Sequence, residues 1–525
     1  MSRVTGLVRE IVMARVFGAG LVYDAFLLGF RIPNLTRDLF AEGALSSAFV
    51  PIFTEYLATR GRKEAAALSN LVSTAIIILV GTICGLGMVF APALVDLLAP
   101  GFHHIPGKFE LAVRMTRIMF PFLLLVALAA QAMGMLNACG VFGVPALAST
   151  MFNIASVTAG LLFGFWAGPH IGLAPIEGMG YGVVLGGALQ LAWQLPSLYR
   201  LGFRFRPAFD WADTGLRRII ALMGPAILGN AAVQINLVVN TNLAASLEDP
   251  VRGADGPVSW LGYAFRFMQL PLGLFGVAMA TATLPSISRS AAEGNFNEFR
   301  QTLSRSLATV FLLTVPSSVG LVVLGQSIIG AIYQGGRFDL YDTRQTADAL
   351  SYFAIGLLGY AGVKLMTPAF YALNDALTPM LISLASVLIN YEVATTLTGR
   401  FGFGQSGLAL STAAVALASF VAQFTILRMK LAGIYGRALM ASLWKVTVAA
   451  VAMGVLVSGI NALVLGRFGM TRAAFLGVLA LAIPSGILVF YAVARRLAIP
   501  ELEPAMRALA APLAGRLRRG RDTIQ

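Results

Sequence analysis

The sequence predicts an all-α polytopic membrane protein. It should have about fourteen transmembrane helices, arranged as two pseudo-symmetric six-helix lobes plus two C-terminal helices. Three observations carry this prediction. Apolar residues make up 58% of the 525 positions and charged residues only 12%, with a mean hydropathy of +0.79. Soluble domains carry about twice that share of charge. Apolar runs long enough to cross about 30 Å of hydrocarbon recur along the chain and do not alternate as barrel strands do. Finally, landmarks of the first half return in order in the second.

The first run, about residues 4–17, stops at Gly18-Ala19-Gly20. Arg3, Arg9, Glu10 and Arg15 interrupt it, so it lacks the unbroken apolar core of a signal peptide. The second, 22–57, holds Asp24, Arg31, Arg37, Asp38 and Glu42 within apolar sequence and should bend near Pro33 and Pro51. Further runs fall at about 67–99, 110–137, 143–167, 173–199, 218–247, 258–284, 302–333, 346–373, 378–399, 406–428, 436–464 and 471–494. The glycine-rich stretches GLGMVF and GVVLGGALQ read as helix-packing surfaces.

Loop charge sets the expected orientation. Counting from a cytoplasmic N-terminus, the cytoplasmic connections collect Arg60, Arg62 and Lys63; Arg200, Arg204, Arg206, Arg217 and Arg218; Arg289, Arg300 and Arg305; Arg428, Lys430 and Arg437; and the tail arginines Arg516, Arg518, Arg519 and Arg521. The acidic loop Glu248-Asp249-Pro250 with Asp255 falls outside. Both termini are therefore expected in the cytoplasm. The net charge of +14 is explained by this bias, and no basic soluble domain exists to bind nucleic acid.

The repeat has an offset of about 225–240 residues. Arg31, Pro33, Gly43 and Val50-Pro51 are followed by Arg266, Pro271, Gly276 and Leu284-Pro285. Leu136-Asn137 with Pro145 matches Leu373-Asn374 with Pro379, and Gly182 with Gln190 and Gln194 loosely matches Gly407 with Gln423. Two parallel six-helix lobes, 1–205 and 206–432, are expected, with a binding site between them. The pair 433–496 has no counterpart, and 497–525 reads as a basic tail at the headgroups.

Charge inside membrane helices is costly, about 2.5–3.5 kcal/mol each on insertion scales, so it usually faces water or a partner. Arg3, Arg9, Arg31 and Arg37 gather in the first half, and Arg266 and Lys364 sit several turns deep in the second. Asp24 and Glu42 are the nearest carboxylates, and Asp24 shares a helix face with Arg31 seven residues on. Arg3 and Arg15 could equally snorkel to the interface. As a set, the surplus of cations suits a phosphate-bearing substrate, because guanidinium binds phosphate bidentately and keeps its proton. A proton-coupled drug exporter would show carboxylates in excess. The chain carries no P-loop, no His-Glu-x-x-His and no nucleophile–base pair, so it reads as a transporter and not an enzyme, with no cofactor. Cys84, Cys139 and the loop pair His103-His104 have no metal-ligand spacing.

At these residues the sequence resembles the MurJ (MviN) family of lipid II flippases, within the multidrug/oligosaccharidyl-lipid/polysaccharide exporter superfamily. The segments carrying the resemblance are SRVTGLVREIVMARVFGAG, DAFLLGFRIPNLTRDLFAEGALSSAFVPIFTEY, APGF, MGPAILGNAAVQINLVVNT and SWLGYAFRFMQLPLGLFGVA, with GVKLMTPAFYALNDALTPM more weakly. The resemblance implies transfer of undecaprenyl-pyrophosphate-linked disaccharide-pentapeptide from the cytoplasmic to the periplasmic leaflet of the bacterial inner membrane by alternating access. It implies a role in peptidoglycan synthesis, lipid II and membrane lipids as partners, and contact with the cell-wall synthesis machinery. The family's cavity arginines match Arg3, Arg9, Arg37 and Arg266, its cavity aspartate matches Asp24, and Glu42 is the glutamate of FAEGA. Lys364 joins them as a second-half cation, and 436–494 would form the groove for the lipid tail.

Three departures stand out. Family members usually begin a dozen or so residues before Ser2-Arg3-Val4, which points to a truncated or misassigned start. Acidic residues that often flank the second-half arginine are Phe265 and Gln269 here, which makes the expected cavity more cationic. The acidic position of a family sodium site corresponds to Asn240 or Asn236, which argues against sodium coupling. The alternatives are an exporter of another polyprenyl-linked glycan or of cationic drugs, and a non-transporting scaffold for envelope synthesis.

Overall fold

The computed structural model describes residues 2–37 and 45–507, with the side chains of 2–3, 36–37, 46–47 and 224–233 excluded. Every named element among these residues is helical, and the only ladder contacts are isolated bridges at Asp249–Gly253 and Gly335–Phe338. Where its residues are described, each of the fourteen apolar runs is mainly helical. Several are broken within the run.

The chain divides into two compact units. The first comprises 1–259 together with 335–338. Its helices are α1 (Ser2–Phe17), α2 (Leu21–Arg37), α3 (Ser46–Thr59), α4 (Gly61–Val89), α5 (Ala91–Leu98), α6 (Lys108–Met119), α7 (Pro121–Ala138), α8 (Gly143–Leu161), α9 (Pro175–Ala192), α10 (Leu195–Arg200) and α11 (Thr214–Ala245). Breaks fall where proline opens the next helix, as at Pro121. Helix α9 packs closely on α8 and the turn that follows it. A Cβ on Gly178 would lie 2.2 Å from the Gly164 nitrogen, one on Gly182 2.4 Å from the Ser156 oxygen, and one on Gly186 2.9 Å from the Phe152 oxygen. These glycines recur every fourth residue, so one face of α9 meets backbone directly. Likewise Gly87 makes room for the Phe120 ring. The GVVLGGALQ stretch is thus a packing surface, whereas in GLGMVF only Gly87 packs and Gly85 faces open space.

The helix α12 (Pro257–Pro271) begins at the end of the first unit, and the second unit comprises 260–334 and 339–525. It contains α13 (Ala278–Ala292), α14 (Phe296–Ile332), α15 (Leu340–Ile355), α16 (Leu357–Ala372), α17 (Leu377–Thr395), α18 (Gly404–Lys430), α19 (Gly436–Phe468) and α20 (Arg472–Arg496). The last two pack on α14 through two apolar clusters, one around Leu312, Val446 and Ala494, the other around Leu324, Val457 and Val478. Wide π turns follow α8 (Leu162–Ala167), α12 (Leu272–Val277) and α17 (Thr396–Arg400).

Among the described residues nine helical segments are long and apolar enough to cross a membrane, or ten if the bent pair α15–α16 is one span. The chain is a multi-pass membrane protein. Within the described residues, helices α1, α2 and α3 have 16, 17 and 14 residues, short of that length on their own.

Candidate functional site

The charged stretch that opens the chain is built on α1 and α2. Arg9 is half-buried, with its guanidinium carbon 5.8 Å from the Phe30 ring centre and 5.5 Å from that of Phe152. The rings sit against the guanidinium and orient it. Phosphate is bound through the N–H edge of such a group, so ring contact and anion binding are compatible. Arg31, a turn beyond Phe26, donates from Nη1 to Thr241 Oγ1 on α11 at 2.7 Å.

Asp24 is fully buried and its carboxylate is saturated. Lys108 Nζ donates to Oδ2 at 2.7 Å, Gly256 N to Oδ2 at 3.1 Å, and Ser259 N to Oδ1 at 2.8 Å, with Ser259 Oγ also donating to Oδ1. Lys108 is fully buried too, and donates further to the Ala254 carbonyl at 2.8 Å. Its ammonium lies 4.5 Å from the Phe102 ring centre. Asp255 approaches it at 3.5 Å. Burial, with the Asp24 charge adding to it, pushes the Asp255 carboxyl above its usual range, and Lys108 opposes the shift. The loop before α12 is therefore clipped onto α2 and α6 by one buried lysine and one saturated aspartate. Sequence reasoning did not single out Lys108 or pair it with Asp24, which lies 84 positions away. The one signal available was a lysine starting an apolar run directly after Pro106-Gly107.

In the second unit, α12 buries Trp260, Tyr263, Ala264, Phe267 and Met268, and Arg266 lies on the opposite, exposed face. Lys364 is exposed on α16 in the same way, while Leu365, Met366 and Ala369 are buried. Neither cation is part of the packed interior. Arg3 and Arg37 lie on α1 and α2, but their side chains are outside the described residues, as are Glu42 and the tail arginines beyond 507. Asn240 donates to Asn236 at 3.3 Å on α11, the place where the family resemblance puts a sodium ligand. No cluster of three or more potential metal ligands occurs among the described residues.

The sequence model of the family described as "Lipid II flippase MurJ" matches residues 13–479. The chain belongs to the MurJ family. The lipid II flippase MurJ of Burkholderia cenocepacia is 35% identical over 443 residues, covering 83% of this chain and 82% of its own. A probable lipid II flippase MurJ of Haemophilus influenzae is 35% identical over 404 residues, covering 74% and 77%. Among solved structures, the inward closed conformation of a lipid II flippase MurJ superposes with a TM-score of 0.75 at 24% identity, over 94% of this chain and 96% of that one. An inward-facing MATE-family multidrug transporter of the MOP superfamily superposes at 0.70 with 13% identity, over 82% and 95%. At those identities the two structures speak for the fold, which MurJ proteins share with drug exporters.

Proposed function

We propose that this chain is a lipid II flippase, moving the undecaprenyl-pyrophosphate-linked peptidoglycan precursor from the cytoplasmic to the periplasmic leaflet by alternating access. The observation that carries the reading is the MurJ family match along 13–479, in a chain whose membrane helices hold more arginine than carboxylate. Arg3, Arg9, Arg37, Arg266 and Lys364 are assigned to the pyrophosphate, with Glu42 as a local counter-charge and Asp24 as a positioning residue. The ring-oriented guanidinium of Arg9 and the outward placement of Arg266 and Lys364 support this. Asp24 acts through the element it fixes, because both its oxygens are already bonded.

The lobes are assigned as 1–205 and 206–432, followed by the pair 433–496 that takes the lipid tail and the basic tail 497–525. The π turns that begin at Leu162 and Thr396, 234 residues apart, support the internal repeat. The pair's apolar outer face, with Val455, Leu463 and Leu488 exposed, suits a polyprenyl chain. The protein is placed in the bacterial inner membrane with both termini cytoplasmic, on the strength of the arginine-rich connections. An inside-negative potential would help return a cationic site toward the cytoplasm, at about 2.3 kcal/mol per charge per 100 mV.

The test is rescue of cells depleted of their own flippase. This chain should restore growth, and Arg37→Ala or Arg266→Ala should abolish rescue without loss of protein. Normal growth of both mutants would remove the role assigned to these arginines. Resistance to cationic drugs that depends on carboxylates would point instead to drug export.

A further inference from the structure

Unit 1 contains a slot of about 250 Å³ walled by α4, α7, the end of α9, α10 and the connection that follows α10. None of the cations assigned to the pyrophosphate lines it. Its long axis follows α4 from Ser69 and Asn70 to Ile77, about 12 Å at the helical rise. One end is polar and basic, lined by Asn70, Tyr199 and Arg204. The other is apolar, formed by Ile77, Leu128, Leu191 and Leu195. The polar groups between these ends are bonded among themselves. Ser73 donates to Gln131 Oε1 at 2.9 Å, and Gln131 Nε2 donates to the Ser69 carbonyl at 3.0 Å. The connection is held over the slot's edge by two bonds to α4, Arg206 N to Asn70 Oδ1 at 3.2 Å and Ala208 N to Thr74 Oγ1 at 3.1 Å.

The surroundings indicate what such a slot can hold. Arg200, Arg204 and Arg206 are exposed around its basic end, and Tyr199 and Phe205 are exposed beside them. The nearest acids in the connection are already engaged: Asp210 accepts from Ala212 N and Asp213 from Leu216 N. Arginine interleaved with aromatic side chains marks the water–hydrocarbon boundary of a membrane protein. The volume lies below the ~300–1,000 Å³ of sites that enclose a whole small molecule, so the slot suits part of an amphiphile whose remainder lies in the bilayer.

We propose that this slot binds an anionic phospholipid, its headgroup phosphate on Arg204 and an acyl chain running along α4 toward Ile77. The charge at the mouth selects an anion, and the apolar far end excludes a soluble one.

Native mass spectrometry of the full chain, released from nanodiscs of equal phosphatidylglycerol and phosphatidylcholine, tests this without any transport step. Failure to rescue flippase-depleted cells would therefore leave the result intact. Phosphatidylglycerol should be retained over phosphatidylcholine. Arg204→Glu should lower that retention about tenfold or more. Ile77→Trp, which blocks the apolar end, should also lower it. Arg62→Glu, at the start of α4 but off the slot, should leave it within about twofold. Arg204→Gln covers the case in which charge reversal harms folding, and should lower retention by about fivefold. Unchanged retention in the Arg204 and Ile77 variants overturns the proposal, and so does an equal loss in Arg62→Glu, which would mean diffuse surface charge. Displacement by soluble glycerol phosphate would reduce the slot to an anion site. Displacement by an equimolar polyprenyl pyrophosphate would make it a substrate site instead.

Discussion

Lys108 and Asp24 pair at 2.7 Å with neither side chain exposed to solvent. A buried pair of this kind gains little over an apolar replacement, but breaking it from one side leaves a charge with no water to return to. Lys108→Met should destabilise the first unit by about 3–5 kcal/mol, and Lys108→Met with Asp24→Asn should recover much of that loss. Denaturation of the purified protein in detergent checks both. Equal stability of the single and double variants would mean that the pair is not coupled.

Asp255 is the third member of this cluster and should behave differently. Its carboxyl is raised, mainly by burial, so its ionised form disfavours the fold at neutral pH. The folded state then holds the Asp255 proton more tightly than the unfolded chain does. Stability from this group rises as pH falls through its folded value and levels off below the ordinary 3.8. Asp255→Asn removes that charge, so it should raise stability at pH 7 and flatten the rise toward acid, as melting curves from pH 7 to about pH 4 would show.

The opposite sign holds at Asp375, in the connection between α16 and α17. The Lys430 ammonium, with Thr378 N and Oγ1 donating at 3.0 and 2.7 Å, lowers its carboxyl to about 2. A depressed carboxylate contributes stability that is complete above the ordinary 3.8 and is lost as pH falls through about 2. Asp375→Asn should remove that acid-range loss, and Lys430→Met should move it to higher pH. Both are read from melting temperature against pH.

Trp260 donates from Nε1 to Asp342 Oδ1 at 2.9 Å, and both residues are fully buried. Asp342 also closes the capping box of α15, donating its backbone N–H to Asp339 Oδ1 at 2.8 Å and accepting from Asp339 N at 3.2 Å. Trp260→Phe keeps a large ring but removes the donor, and should cost about 1–3 kcal/mol. The change is expected in thermal stability and not in expression, and a loss below about 0.5 kcal/mol would show that water replaces the indole.

Gly182→Leu tests the α8–α9 contact. A side chain there meets the Ser156 carbonyl at 2.4 Å and the Gly160 backbone at 2.6 Å, atoms that cannot rotate away. Overpacking commonly costs about 1–3 kcal/mol, and backbone opposition puts this site at or above the upper end. Gly81→Leu, where nothing lies within 4 Å, is the matched control. Size-exclusion profiles of the two variants separate local clash from a general dislike of leucine.

Helical runs were legible because hydrophobicity reports length and period, and both survive inside a membrane. Breaks were less so. Nothing in the apolar sequence around Gly356 announces the end of α15, since glycine is common in membrane helices for packing alone. The charged set was readable as a set, because each arginine in an apolar run stands out singly. Partnership was not: Asp24 meets Lys108, and Arg31 meets Thr241 from 210 positions away, through tertiary contacts that no spacing rule encodes. A carboxylate seven residues from an arginine looked like its companion, yet each found a different partner.

The π turn at Leu272–Val277 carries a consequence for any scan along this segment. Each turn that closes on the fifth residue holds more residues than an α-turn, and one extra residue is worth about 100° of rotation. The angular phase set by Arg266 and its buried neighbours therefore does not continue into α13. Positions counted from Arg266 by threes and fours lose step before Ala278. A labelling series read as a single wave would smear there, whereas two waves out of phase, meeting at the wide turn, would describe it.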